Sequence, residues 1–342
     1  MGGRSGGKRP ALAFAYDPIY TERVFTPEQL SRLAGFCAVL SYDPILRIDT
    51  PVARKLLREA EILVTGWGPP MLDEALLAAA PNLRLIAHSA GSVKYFIAPE
   101  VFEAGITVTN AVAANAVPVA EYTLAAILFA NKQVLRFRDL YRERRSELRA
   151  DPIMAEPLGN FGKVVGIIGA SRIGLRVIEL LRPFDFEVLL YDPYASEAQA
   201  RAMGATLVGL DELMARADVA SLHAPAIPAT RQMIDARRLA LLRDGATFIN
   251  TARGSVVDHA ALERELVSGR ISAVIDVTEP EVLPAASPLY ELPNVLLTPH
   301  MAGAIGAERE RLGTLCVDEV ERFVTGQPLQ HAVAYDMLER LA

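Results

Sequence analysis

Residues 164–192 constrain the fold of this chain more tightly than any other stretch. An apolar run, VVGII, meets the turn G-A-S-R-I-G and a helical pattern, RIGLRVIELL. A second apolar run, VLLY, then closes on Asp192. Strand, glycine turn, helix and a strand ending in an acid specify a parallel βαβ unit of the kind that binds a dinucleotide. Gly169 permits the tight turn, and Gly174 lets the helix pack closely on the sheet. The amides at the helix start, at Ser171, Arg172 and Ile173, can face a pyrophosphate. Asp192 lies about 20 residues on, where an acid bonds the ribose hydroxyls. A carboxylate there repels a 2'-phosphate, so NAD is expected rather than NADP.

Ser171 departs from the fingerprint G-x-G-x-x-G, standing where its second glycine falls. One reading is a serine nucleophile on a G-x-S-x-G elbow, with Asp276 and His300 enlisted from later in the chain. The spacing is one residue too long for that elbow, Ile173 takes its second glycine position, and Asp192 is left without a role. The other reading is a helix N-cap, where serine is among the preferred residues. An N-cap is compatible with a bound dinucleotide.

A chain of 342 residues is too long for one ordinary core and implies two domains. From Ala11 to about Thr109 the runs ALAFAY, ILVTG, LRLIAHS and ITVTN read as strands between helical segments. A single long helical pattern follows from about Val117 to Glu147. Pro152, Pro157, Gly159 and Gly162 then interrupt it. From Lys163 a second series runs through FEVLLYD, VASLHAP, ATFINTA, SAVIDV and NVLLTPH, and a last helical stretch covers about Gly303 to Thr325. Alternation of strand and helix implies parallel sheets with helices on their faces.

The formal net charge of -6 offers no attraction for nucleic acid or an anionic membrane. The longest apolar window, Ala111 to Ala130, contains Asn115, Pro118 and Glu121, which argues against a membrane span. Cys37 and Cys316 are isolated, and the five histidines form no metal-ligand spacing. The start, MGGRSGGKRP, reads as a floppy basic tail before the first strand, and a cytoplasmic location is expected.

Three further groups follow strand ends. Arg253 comes after ATFINTA, Glu281 after SAVIDV with Asp276 and Glu279, and His300 after NVLLTPH. Ligands of α/β proteins bind at that edge of the sheet, so these groups can converge. Trp67, in TGWGPP after a strand of the first series, can wall a pocket or simply pack.

The stretches VTNAVAANAVPVAEYTLA, GKVVGIIGASRIG, LHAPAIPATRQMI, INTARGSVVD, IDVTEPEVLP and LLTPHMAGA, in this order and spacing, resemble the D-isomer-specific 2-hydroxyacid dehydrogenase family. The resemblance implies an α/β protein of two Rossmann-like domains. A flavodoxin-like substrate domain (1–131 and 303–342) would carry an inserted NAD-binding Rossmann domain (132–302), with a cleft between them that closes on substrate. It implies that Arg253 grips the substrate carboxylate and polarises the keto oxygen, and that His300 exchanges a proton with that oxygen. Glu281 would pair with His300 and raise its pKa. Thr251, His223 and Pro225 would flank the cofactor, and Asp276 would touch its nicotinamide end. The amides of the loop at His88, Ser89, Ala90, Gly91 and Ser92 would bind the substrate carboxylate, and Asn115 would lie on the substrate side. Where the family writes G-x-D, this chain has Gly91, Ser92, Val93 and then Lys94: either the lost Asp and adjacent Lys alter which substrate end is tolerated, or Lys94 is simply solvent-exposed, the favoured reading.

The expected activity is transfer of a hydride between NAD(H) and a D-2-hydroxy acid/2-keto acid pair, in a homodimer. Glyoxylate, hydroxypyruvate, a phosphoglycerate or a larger acid are the candidate substrates. The alternative is an NAD(H)-sensing, corepressor-like binding protein of the same fold.

Overall fold

Apolar runs separated by helices become two parallel sheets, because a strand followed by a crossover helix returns in the same direction. The computed structural model describes residues 9–149 and 151–338; most of the basic start, residues 1–8, lies outside them. Strands β1 (Ala11–Ala15), β2 (Ala38–Val39), β3 (Ile62–Thr65), β4 (Leu85–His88) and β5 (Thr107–Thr109) form one sheet in the order β2-β1-β3-β4-β5. Strands β6 (Val164–Ile168), β7 (Glu187–Tyr191), β8 (Thr206–Leu207), β9 (Val219–Leu222), β10 (Thr247–Asn250), β11 (Ser272–Ile275) and β12 (Val295–Leu297) form the other. Their order is β12-β11-β10-β9-β6-β7-β8.

Both orders reverse direction once, between β1 and β3 in the first sheet and between β6 and β9 in the second. Such a switch point leaves a crevice beyond the carboxyl ends of the strands, the usual ligand position in open α/β sheets. The central strands of both sheets are buried on both faces, as helices on either side require. Leu12, Phe14, Ile62, Val64 and Leu85 pack with Val317 and Val320 on one side of the first sheet. Leu63 and Ile86 pack with Leu57 and Leu76 on the other.

The chain divides into two compact units, Met1–Asn115 with Ala304–Ala342, and Ala116–Gly303. The first boundary, expected at 131/132, therefore falls at 115/116. The reason is the helix Val112–Asn131, whose Ala120, Ala126 and Ile127 pack with Val165, Ile167 and Ile249 of the second sheet. That helix is long and apolar enough to cross a membrane by length and composition, and one face of it packs on the second sheet. The single helix expected over 117–147 is two, Val112–Asn131 and Val134–Arg144, broken where Gln133 takes a left-handed φ of 48°. Cys37 and Cys316 are free thiols in the same buried cluster, and burial pushes both thiol pKa values up, that of Cys37 to about 12.

Candidate active site

At the switch point of the second sheet the turn after β6 is drawn tightly onto the end of β9. Gly169 has φ 104°, and a Cβ on it would lie 2.7 Å from the Ala224 amide nitrogen. A Cβ on Gly174 would lie 2.0 Å from the Gly169 carbonyl oxygen, so only glycine allows this helix to start so close to the turn. Ser171 is the N-cap of the helix Arg172–Leu181, its Oγ accepting from the Gly174 amide at 3.3 Å. Its φ of -65° is an ordinary one, so this position makes no conformational demand for glycine. The Leu175 amide bonds the Ser171 carbonyl. The amides of Arg172 and Ile173 remain at the helix start, where an anion is favoured.

Asp192 closes the turn from the next strand. Its Oδ2 accepts from the Ala170 amide at 2.7 Å and its Oδ1 from the Tyr194 amide at 2.8 Å. His223, 3% exposed, follows β9; its Nε2 pairs with Ser221 Oγ at 2.9 Å, while its buried Nδ1 has no partner. Burial pushes the His223 pKa down to about 3, so the ring is neutral. The Pro225 carbonyl accepts from Thr230 Oγ1 at 2.5 Å and shapes the loop beyond. A glycine-only turn, two amides at the helix start and a carboxylate held beside them fit a dinucleotide.

The charged groups expected to act on substrate emerge from three adjacent strand ends. Asn250, Ile275 and Leu297 close β10, β11 and β12 in register. The Asp276 amide bonds the Asn250 carbonyl, the Thr298 amide bonds the Ile275 carbonyl, and the His300 amide bonds the Asp276 carbonyl at 2.8 Å. Arg253, Glu281 and His300 thus stand on neighbouring loops at one sheet edge. His300 Nδ1 and Glu281 Oε1 are 2.5 Å apart. The Arg253 guanidinium turns back through Nη1 to the Ala252 carbonyl at 2.6 Å and bonds neither His300 nor Glu281.

Several polar residues without a role in the sequence reading hold these loops. The Asn250 side chain bridges them from within, accepting from the Ala252 amide and donating to the Arg253 carbonyl. Thr278 Oγ1 meets the carbonyls of Pro280 and Glu281 at 2.8 and 2.9 Å. Gly254 lets the arginine loop rest on this segment, since a Cβ there would lie 2.2 Å from the Thr278 carbonyl carbon.

Two residues expected to touch the cofactor also make bonds within the protein. Asp276 is 3% exposed; its Oδ1 accepts from Thr298 Oγ1 at 2.6 Å and the Met301 amide at 2.8 Å, and its Oδ2 from the Ala302 amide at 2.9 Å. A buried carboxylate is tolerated only when its oxygens are bonded, and this one organises the His300 loop. The Thr251 hydroxyl is buried against Thr123, 3.1 Å away.

In the first unit, only part of the expected carboxylate loop is available. Both the amide and the hydroxyl of Ser89 bond the Thr65 carbonyl, and Ala90 is fully buried. Gly91 and Ser92 remain half-buried, and a Cβ on Gly91 would meet open space. Lys94 is half-buried rather than solvent-exposed. Trp67 packs with Val24, Ala111 and Leu312, and the Arg309 guanidinium sits 5.3 Å above its half-buried ring. The Asn115 side chain accepts from the Ala304 amide at 2.9 Å, fastening the returning chain.

Residues 124–302 match the family model described as D-isomer specific 2-hydroxyacid dehydrogenase, NAD binding domain. The chain is 35% identical over 295 residues to a D-3-phosphoglycerate dehydrogenase of Mycobacterium tuberculosis, covering 84% of this chain and 54% of that protein. The chain belongs to the D-isomer specific 2-hydroxyacid dehydrogenase family. A glyoxylate reductase of Korarchaeum cryptofilum is 30% identical over 284 residues, 82% of this chain and 85% of that one. The solved structure of a 2-hydroxyacid dehydrogenase from Ketogulonicigenium vulgare matches with a TM-score of 0.74 at 26% identity, over 96% of this chain and 99% of that one. The chain spans about half the length of the D-3-phosphoglycerate dehydrogenases it matches. Within this family's NAD-binding domain, the turn at Gly169 and the loops of Arg253, Glu281 and His300 are the elements described above.

Proposed function

We propose that this protein interconverts a D-2-hydroxy acid and its 2-keto acid with NAD(H). The observation that carries the proposal is the His300–Glu281 pair, 2.5 Å apart, on loops emerging beside that of Arg253. Glu281 holds the Nδ1 proton of His300, which leaves Nε2 as the atom that gains or loses a proton without changing the tautomer. In reduction, protonated Nε2 donates to the keto oxygen as negative charge develops there; in oxidation, neutral Nε2 removes the hydroxyl proton. Arg253 has one Nη1 donor on the Ala252 carbonyl and keeps Nε and Nη2 for a two-point bond to the substrate carboxylate. When bound, the nicotinamide supplies or takes up the hydride. The amides of Arg172 and Ile173 would hold its pyrophosphate, and Asp192 the adenosine ribose, which favours NAD over NADP.

We also infer self-association: the helix Val134–Arg144 buries none of its residues, and a groove of about 820 Å³ beside it is lined by Phe129, Val134, Leu140 and Leu296. Light scattering of the purified protein tests this, a monomer at micromolar concentration being the contrary result.

The activity is tested by following NADH absorbance with a panel of 2-keto acids: glyoxylate, hydroxypyruvate, its 3-phosphate and larger side chains. Turnover lost in His300→Ala is the expected result. Tight NADH binding with no turnover on any acid would instead support a dinucleotide sensor.

A further inference from the structure

Two neighbouring residues on one helix reach the two loops that carry Arg253 and His300. On the helix Val112–Asn131, Thr123 is fully buried and its single hydroxyl proton goes to the Val119 carbonyl at 2.8 Å. Its oxygen can therefore only accept from Thr251 Oγ1, 3.1 Å away. Thr251 opens the loop that ends at Arg253. One position earlier, the Tyr122 hydroxyl lies 2.9 Å from Thr298 Oγ1. Thr298 donates its one hydroxyl proton to the Asp276 carboxylate at 2.6 Å, so it must accept from Tyr122.

The second chain of donors thus runs from Tyr122 through Thr298 to Asp276. Asp276 in turn takes the amides of Met301 and Ala302 on its carboxylate and that of His300 on its carbonyl. His300 has φ 52°, a left-handed conformation uncommon outside glycine, which persists only where surrounding bonds impose it. The Tyr122 hydroxyl is the outermost member of the set of bonds that imposes it.

We propose that Tyr122 and Thr123 are positioning residues that set the His300 loop and the Arg253 loop separately, from adjacent places on one helix. The kinetic part of this proposal rests on the dehydrogenase reading; the loop geometry does not.

The test compares Tyr122→Phe, Thr123→Val and Thr123→Ser with the parent, by steady-state kinetics and by amide hydrogen exchange of the protein without cofactor. For Tyr122→Phe the expected result is a roughly tenfold loss of kcat with KM for the keto acid nearly unchanged, because small displacements of an acid–base group are costly. Exchange should quicken at His300, Met301 and Ala302 and not at 251–253. For Thr123→Val the keto-acid KM should rise several-fold with kcat largely kept, exchange should quicken at 251–253, and Thr123→Ser should restore both. Parental kinetics in both variants, or equal changes of kcat and KM in each, would overturn the proposal. If the parent turns over no 2-keto acid, the dehydrogenase reading fails by itself. Exchange then decides: unchanged rates in both loops overturn the positioning roles, and selective quickening sustains them.

Discussion

Glu281 Oε1 lies 2.5 Å from His300 Nδ1 although the two side chains are 60% and 49% exposed. An ion pair so open to water contributes at most about 1 kcal/mol to stability. Its value is in orientation, because the bond fixes which ring nitrogen faces outward. Glu281→Gln keeps an acceptor for Nδ1–H but removes the carboxylate charge beside the ring. We expect the thermal midpoint to be almost unchanged and kcat to fall roughly 10- to 100-fold, within the range of general acid–base contributions. A variant with parental kcat would remove Glu281 from the mechanism.

Asp276 has the opposite profile, being buried, fully bonded and turned away from solvent. Asp276→Asn substitutes an amide that must present two donors where the Thr298 hydroxyl and the Met301 and Ala302 amides also donate. Loss of charged hydrogen bonds of this kind costs about 1.5–3 kcal/mol each, so stability and turnover should fall together. Urea unfolding alongside kinetics separates this from Glu281→Gln. A stable but inactive Asp276→Asn would return Asp276 to direct contact with the cofactor.

The long strands and the two parallel sheets were legible because buried strands read as continuous apolar runs. Strands β2 and β8 were not, since two residues at a sheet edge carry no pattern. The break at Gln133 was hidden because glutamine does not announce a left-handed φ. Arg253, Glu281 and His300 could be picked out by their position after strand ends. Thr123 and Thr298 could not, because threonine near a strand or within a helix has ordinary reasons to be there, and only the fold shows where a hydroxyl proton goes. Ser89 shows the same limit from the other side: a small-residue loop suggests amides for an anion, but its own amide and hydroxyl are turned inward onto Thr65.

Ser171 occupies a glycine position without needing to be glycine. It adopts an ordinary φ and caps the helix through the Gly174 amide. Glycine at an N-cap is only a few tenths of a kcal/mol worse than serine. Ser171→Gly should therefore change NADH affinity by no more than about threefold and leave stability nearly unaltered. A tenfold tightening, measured by fluorescence titration, would show instead that the serine side chain obstructs the pyrophosphate.

Asp192 accepts two backbone amides of its own turn, and on the proposed reading it also meets the adenosine ribose. Asp192→Ala removes the repulsion of a 2'-phosphate and also releases the Ala170 amide. NADH should bind more weakly while the NADH/NADPH preference narrows by roughly tenfold or more, the difference expected for removing a close charge. An unchanged preference would mean that selectivity for the phosphate is set elsewhere.

Acid should unfold this protein through its buried imidazoles. His88 and His223 are each 3% exposed, and burial pushes both pKa values down from 6.5 to about 3. Above the unfolded value both states are neutral at these sites and the full stability is present. As pH falls from about 6.5 towards about 3, the unfolded chain takes up a proton at each site that the folded chain refuses. Stability then drops by about 1.4 kcal/mol per pH unit for each histidine. Burial also lowers the His259 pKa, which adds in the same direction. Urea midpoints at pH 7, 6 and 5 measure the slope, and His223→Asn should reduce it by the share of one proton, whatever it does to stability at pH 7. A slope the same in variant and parent would show that His223 is protonated in the folded protein over that range.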